Sequence, residues 1–499
     1  MSKVLLINPN KWGRGITHIW IPSHTAVLKS RGHDVRLFDS TFFADWAINE
    51  IKFNTENKQY KPSAYLQKII YSQTPVVEAL QKTIDEFQPD FIFWSALSSH
   101  IHGEGEYVNI QYGHTLLNDI KTSAIKVTAG LQPTADPDSM FHHFPKADYF
   151  IRGESEFVLA ELIEALSSGG SPYDICGLVH KGSNGKVVSN PPQPIIADLD
   201  TIPPYDYSLF EDQVFWRPYN GEVVRAVDYE LSRGCIYVCE YCVETVIQRY
   251  YGFGEITPNR GTLLKPKGYL RCKSAARIFQ EMSILHREKG IRLFRCQDTN
   301  FLTMDRSTLL SLAEMIDQSS LDIMLYIETR PEGINPTSIE LLKKLKVDGV
   351  GIGVELSTQE FREEKLRRYA DQEKIIDAFR LLREAGIRRT AYNIIGLPEQ
   401  DESSILATVK FNHQLNPDNV TIAFYSPYIG TSQQRKANEL GYFDDYEYHV
   451  DSTFRSLSKH SMVMVPVLNF YKKHFNQLVR EGVSNLGCLK KASGLSVNE

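Results

Sequence analysis

Short apolar runs bounded by Asn, Asp, Gly or Pro recur along the chain and alternate with stretches whose apolar positions fall three and four residues apart. KVLLIN (3–8) ends in the turn formers NPN, an amphipathic stretch then runs to Arg31, and Gly32 precedes DVRLFD (34–39). That is the opening of a βαβ unit. Helical periodicity over 76–87 leads to DFIFWSA (90–96), a helical signal around 116–121 leads to AIKVTAG (124–130), and ADYFIRG (147–153) precedes the helical ESEFVLAELIEAL. Such alternation predicts an α/β fold with a doubly wound, mostly parallel sheet, here placed with its linker in residues 1–200. Ligands of such sheets sit beyond the carboxyl ends of the strands, which points to the loops after Asn8, Ser95, Gly130 and Arg152.

A second series follows between 201 and 435. VDYELS (227–232), LFRCQDTN (293–300), MLYIETR (324–330), GVGIGVELS (349–357), RRTAYNIIGLP (388–398) and NVTIAFYSP (419–427) read as strands, with amphipathic helices between them. Six such repeats suit a partial (β/α)6 barrel of the TIM type, whose chemistry belongs at the strands' carboxyl ends. Residues 436–499 read as a mostly helical extension, and 40–75 and 246–268 as aromatic-bearing insertions. A chain of 499 residues exceeds one core. Net charge −6 gives no electrostatic reason to expect nucleic acid. No run approaches the length of a membrane span, and MSKVLLINPN has too short an apolar run for a signal peptide, so a cytoplasmic enzyme is expected.

LSRGCIYVCEYCVE (231–244) changes the picture. It spends three of only seven cysteines, Cys235, Cys239 and Cys242, at C-x3-C-x2-C. An odd, tightly spaced cluster cannot pair off as disulfides. Structural zinc normally takes four protein ligands, and no fourth Cys or His follows at finger or ribbon spacing. Three thiolates leave a [4Fe–4S] cluster one iron short of full protein ligation, with that iron open to an outside ligand.

C-x3-C-x-aromatic-C, with Tyr241 as the aromatic residue, resembles the signature of radical S-adenosylmethionine (SAM) enzymes, in which the open iron holds SAM and the reduced cluster cleaves it to a 5′-deoxyadenosyl radical. By that resemblance QDTNF supplies Asp298, MLYIETR Arg330, GIGVELS Glu355 and Ser357, the following helix Arg368, and NIIGLPE Ile394 and Glu399 as SAM contacts, although Tyr392 replaces a customary Gly. SPYIGT (426–431) resembles the family's closing "P-x-x-G-T". VTAGLQPTADP and DYFIRGESE resemble two turns of the Rossmann-like cobalamin-binding domain that precedes the barrel in one branch of the family. This implies corrin contacts from Asn8, Asn10, Ser98, His100, Gly130, Gln132, Gly153 and Glu154. No D-x-H-x-x-G is present, so no histidine is expected beneath the cobalt, and His24, His100 and His102 read as loop or surface histidines and not as cobalt ligands. The resemblance implies a cobalamin-dependent enzyme with an external one-electron reductant of flavodoxin or ferredoxin type. Its commonest chemistry is methylation of an unactivated carbon of a small molecule, with cyclisation, ring contraction or rearrangement as alternatives and a non-catalytic sensor behind them.

Overall fold

The computed structural model describes residues 1–97, 104–257, 260–425, 428–442 and 462–495. Its first sheet contains β1 (Lys3–Asn8), β2 (Asp34–Asp39), β3 (Phe91–Trp94), β4 (Ile125–Ala129), β5 (Tyr149–Ile151), β6 (Leu178–Lys181) and β7 (Val187–Ser189), in the order β2-β1-β3-β4-β5-β6-β7. The first five strands are parallel. Alternation explains the layering: Val4 and Leu6 of β1 join the core that holds helices Trp20–Ser30 and Glu156–Ser167, while Leu5 and Ile7 join the opposite core with helix Val76–Phe87. Two features depart from the sequence reading. The helix before β4 spans Glu104–Leu116, earlier than 116–121, and antiparallel β6 and β7 extend the sheet from short, half-polar segments that carry little signal. His24 is also no surface residue: it is buried in helix Trp20–Ser30, bonded to Trp20 O and Ser155 Oγ and stacked on Phe93.

The second sheet opens with a hairpin of β8 (Trp216–Tyr219) and β9 (Glu222–Tyr229). Four two-residue strands brace the segment that follows: β10 (Ser232–Arg233) pairs with β13 (Arg271–Cys272), and β11 (Ile256–Thr257) with β12 (Thr262–Leu263). Then come β14 (Leu293–Cys296), β15 (Met324–Thr329), β16 (Val347–Glu355), β17 (Arg388–Ile395) and β18 (Asn419–Phe424). From β9 to β18 the strands are parallel neighbours in chain order, an open partial barrel with β8 on its edge. Helix Val465–Glu481 packs against helix Glu402–Leu415 and β18 through a separate apolar cluster. No helix among the described residues is long and apolar enough to cross a membrane.

Gly349, Gly351 and Gly353 alternate along β16, and the side-chain space they leave is occupied. A Cβ on Gly349 would stand 2.8 Å from the Tyr326 ring, and one on Gly351 2.5 Å from the Tyr392 ring. The glycines let two tyrosines lie across the strand.

The two sheets are joined where the β1 loop meets β9. Thr17 donates from its backbone N (3.0 Å) and Oγ1 (3.1 Å) to Asp228, which also pairs with Arg217 at 3.1 Å and accepts from Gln297 at 2.8 Å. All are buried. Burial by itself would raise the Asp228 carboxyl, but Arg217 and then Arg295 hold it well below the usual carboxylate range. Since the folded pKa is depressed, this contribution to stability should be intact above about pH 4, the unfolded value, and fall away as pH drops below it. Asp228→Asn should cost about 3–5 kcal/mol in urea unfolding at neutral pH, because Arg217 is left buried without its carboxylate.

Candidate active site at the cysteine loop

The cysteine loop hangs between β10 and helix Glu244–Tyr250 at the carboxyl end of β9. Cys235 and Cys239 are buried and Cys242 half-buried. The loop is held from inside by Gln248, whose amide donates to the carbonyls of Cys235 (2.8 Å) and Tyr237 (3.0 Å). Arg330, at the end of β15, lies over the Tyr237 ring (3.7 Å) and places Nη1 3.3 Å from Cys239 Sγ. Burial, and beyond it the neighbouring Glu244, pushes the Cys235 thiol up to about 12. Among the described residues no three His, Cys, Asp or Glu side chains meet at a single-ion position. Three thiols on one buried loop suit a cluster, in which each thiolate takes a different iron.

Beside the loop, Tyr241 donates to Glu355 at 3.0 Å, and Arg368 stands 3.7 Å from the same carboxylate and bonds the Gly353 carbonyl. Burial and the Glu355 carboxylate raise the Tyr241 phenol well above its ordinary value, so it remains a donor. Glu355 closes β16 at φ +63, a left-handed backbone that a non-glycine residue rarely adopts and that is found preferentially at functional sites. The arrangement leaves no room at Gly353, where a Cβ would stand 2.4 Å from Glu355 Oε1 and 2.8 Å from Arg368 Nη2. Ile394 and Glu355 both face a cavity of about 550 Å³ inside the barrel.

The other expected SAM contacts have protein partners of their own. Asp298 accepts from Leu231 N and Ser232 Oγ and so pins β10, and burial lifts its carboxyl to about 7. Glu399 pairs with Lys365 (3.2 Å) and Lys436 (3.8 Å). Ser357 uses its backbone, donating to Thr408 Oγ1 and accepting from Arg362.

On the first sheet, Asn8, Gly130 and Gln132 stand at carboxyl strand ends and are buried or tightly turned. The Asn8 amide lies beside Asp39 without reaching hydrogen-bond geometry. Asn10 instead ties its own loop together through Arg14 O, Thr41 and Trp12 N. Gly153 is covered by the insertion after the cysteine loop, since a Cβ would meet Tyr251 Oη at 2.3 Å. Ser98 and His100, with Ser426 and Pro427 of the SPYIGT turn, lie outside the described residues.

Glu154 has protein partners that its motif does not announce. Its carboxylate pairs with Arg271 (2.9 Å) and Arg233 (3.3 Å), and Arg233 also binds Glu156 at 2.5 Å and Glu230 at 2.9 Å. Arg233 precedes Cys235 by two residues, so one guanidinium ties the GESE turn of the first sheet to the cysteine loop. Burial alone would raise Glu156, but Arg233, then His24, hold it well below its usual value. Only the pairing of SRGC with GESE hinted at this bridge, and neither motif announces its partner.

A model of the radical SAM superfamily matches residues 229–411. The chain carries a radical SAM domain. An uncharacterised methyltransferase of Pyrococcus horikoshii is 28% identical over 352 residues, 70% of this chain and 70% of its own. The anaerobic magnesium-protoporphyrin IX monomethyl ester cyclase of Rubrivivax gelatinosus is 23% identical over 403 residues, 78% of this chain and 67% of the cyclase. In fold the chain is similar to the radical SAM methyltransferase TsrM from Kitasatospora setae, solved with cobalamin and a [4Fe-4S] cluster (TM-score 0.61, 17% identity, 90% of this chain and 80% of that one). It is also similar to the cobalamin-dependent radical SAM enzyme OxsB, solved with aqua-cobalamin and SAM (TM-score 0.62, 15% identity, 98% and 67%). The radical SAM domain thus sits against a Rossmann-like sheet in an arrangement shared with both.

Arg233→Gln should destabilise the protein by about 3–5 kcal/mol in urea unfolding, since Glu156 and Glu230 lose their common cation. An effect below about 1 kcal/mol would show that the bridge is incidental.

Proposed function

We propose that the protein is a cobalamin-dependent radical SAM enzyme that places a methyl group on an unactivated carbon of a small molecule, natural-product or lipid-like. The observation that carries this reading is the buried three-cysteine loop set at a barrel strand end and tied by Arg233 to the Rossmann-like sheet, in a fold shared with TsrM and OxsB. When bound, cluster and SAM supply a carbon-radical source and cobalamin a methyl carrier, and the hard chemistry belongs to them.

Cys235, Cys239 and Cys242 would hold the cluster. Arg330, donating toward Cys239 Sγ, would help to hold that ligand in place. Glu355 offers a carboxylate to SAM, kept in place by Tyr241 and Arg368. Asn8, Gly130 and Gln132 would face the corrin, while Glu154 fixes the loop behind it. The cavity would orient the substrate beside Glu355. An external flavodoxin- or ferredoxin-type reductant and a cytoplasmic setting go with this reading. The cyclase relatives favour a second reading, ring closure on the same framework.

Anaerobically reconstituted protein should bind about four irons and hydroxocobalamin, and replacing the three cysteines with Ala should abolish SAM cleavage. During turnover 5′-deoxyadenosine and S-adenosylhomocysteine should appear together, with deuterium from methyl-labelled SAM in the product. Product with 5′-deoxyadenosine alone and no label would reject methyl transfer and support ring closure. Stoichiometric zinc without iron would reject both.

Gly353→Ala should weaken SAM binding by about tenfold or more, roughly 1.4 kcal/mol, because the added Cβ displaces Glu355 and Arg368. Equilibrium dialysis with labelled SAM measures this, and unchanged affinity would remove Glu355 from the SAM site.

A further inference from the structure

The cavity inside the barrel runs along the strands, from Tyr219 and Arg388 near their amino ends to Glu355 and Ile394 at the carboxyl end. The β1 loop and residues from the 40–75 insertion, among them Trp12, Arg14, Glu50 and Tyr60, also line it. Its charges do not balance locally. Arg14 is matched by Glu50 at 2.6 Å. Asp228, by contrast, serves two guanidiniums: it bonds Arg217 at 3.1 Å, while Arg295 stands 4.0 Å away, beyond hydrogen-bond reach. The Arg295 guanidinium stands 5.9 Å from the centre of the Tyr326 ring. A guanidinium fork that faces the cavity and shares a carboxylate 4.0 Å away keeps donors to offer a ligand.

Beside Arg295, on β15 and β17, polar groups are arranged in a chain. Tyr326 Oη and Tyr392 Oη lie 2.8 Å apart, and Tyr392 donates to Glu328 at 2.9 Å. These tyrosines occupy the space left open by Gly349 and Gly351. The cavity therefore has a cationic fork and a hydroxyl–carboxylate chain at mid-depth, apolar walls from Trp12, Ile16 and Ile394, and Glu355 at the cysteine-loop end.

We infer that this cavity takes an elongated small molecule bearing a carboxylate, and that Arg295 anchors that carboxylate. A guanidinium fork matches a carboxylate bidentately. Among the described residues, a guanidinium that shares its carboxylate with a second one suits a carboxylate ligand, and the volume lies within the range of drug-sized ligand sites. The position to be attacked is then the end remote from the carboxylate, toward Glu355. Only this last point rests on the function proposed above.

The test is isothermal titration of the full-length, anaerobically prepared protein with 4-phenylbutyrate and with its neutral amide, 4-phenylbutyramide. The acid should bind at least about tenfold more tightly. Arg295→Gln should erase that preference, and Arg295→Lys, which keeps the charge and loses the fork, should retain part of it. The melting temperature of Arg295→Gln should change little, because the Arg295 side chain is half-buried and Thr17, Arg217 and Gln297 still engage Asp228. Equal binding of the two probes, no binding of either, or a preference that survives in Arg295→Gln with an unchanged melt would overturn the assignment. Tighter binding of 3-phenylpropyl phosphate than of the acid would overturn it in favour of a phosphate monoester. Neither cluster nor turnover enters this measurement. A carboxylate preference in protein that cleaves no SAM would therefore sink the proposed chemistry and leave the site standing, and the reverse result would do the opposite.

Discussion

One arginine carries the junction on which the candidate site depends. Arg233 lies two residues before the first loop cysteine, is buried, and binds carboxylates from both sheets: Glu154 and Glu156 from the turn after β5, and Glu230 from the end of β9. Tyr205 of the connecting segment donates to Glu230 as well. Charges out of water persist only when matched, so the loop cannot shift without exposing unmatched carboxylates to a low-dielectric interior. The site's two halves are thereby held in one relative position by electrostatics, where the apolar cores alone would tolerate sliding.

Most strands could be read in the chain because their signal is local. KVLLIN and DVRLFD coincide with β1 and β2, since continuous or alternating apolar runs between turn formers leave few other structures open. The cysteine loop was legible for a similar reason, its spacing being self-contained. What could not be read was the destination of charged side chains. Asp298, Glu399 and Glu154 sit in motifs that resemble ligand-contacting segments, and each also has protein partners: Leu231 N and the Ser232 hydroxyl, two lysines, and two arginines. A carboxylate looks the same in sequence whether it faces a ligand or, like Glu154, a guanidinium 117 residues away. Arg295 was missed for the converse reason, since LFRC reads as one ordinary strand and only the fold shows how loosely its cation is matched.

Backbone geometry adds a second kind of information. Among the described residues, Ser95 at the end of β3 and Glu355 at the end of β16 both adopt left-handed φ, at +62 and +63. Each closes a parallel strand at the end where such sheets bind ligands. Strain of this sort persists only where surrounding structure over-determines it, and at Glu355 the surroundings are visible: Tyr241 and Arg368 clamp the carboxylate.

The glycines of β16 make that strand almost featureless on its inner face, so the contour of the cavity floor is drawn by the neighbouring strands, through Tyr326 and Tyr392. A floor built in this way can be remodelled cheaply in evolution. Exchanging one tyrosine would change depth and polarity without disturbing a ladder hydrogen bond or the cysteine loop, whereas a side chain added at a glycine would collide at once. Diversification of what the cavity accepts should therefore be concentrated on β15 and β17, with β16 nearly silent between them.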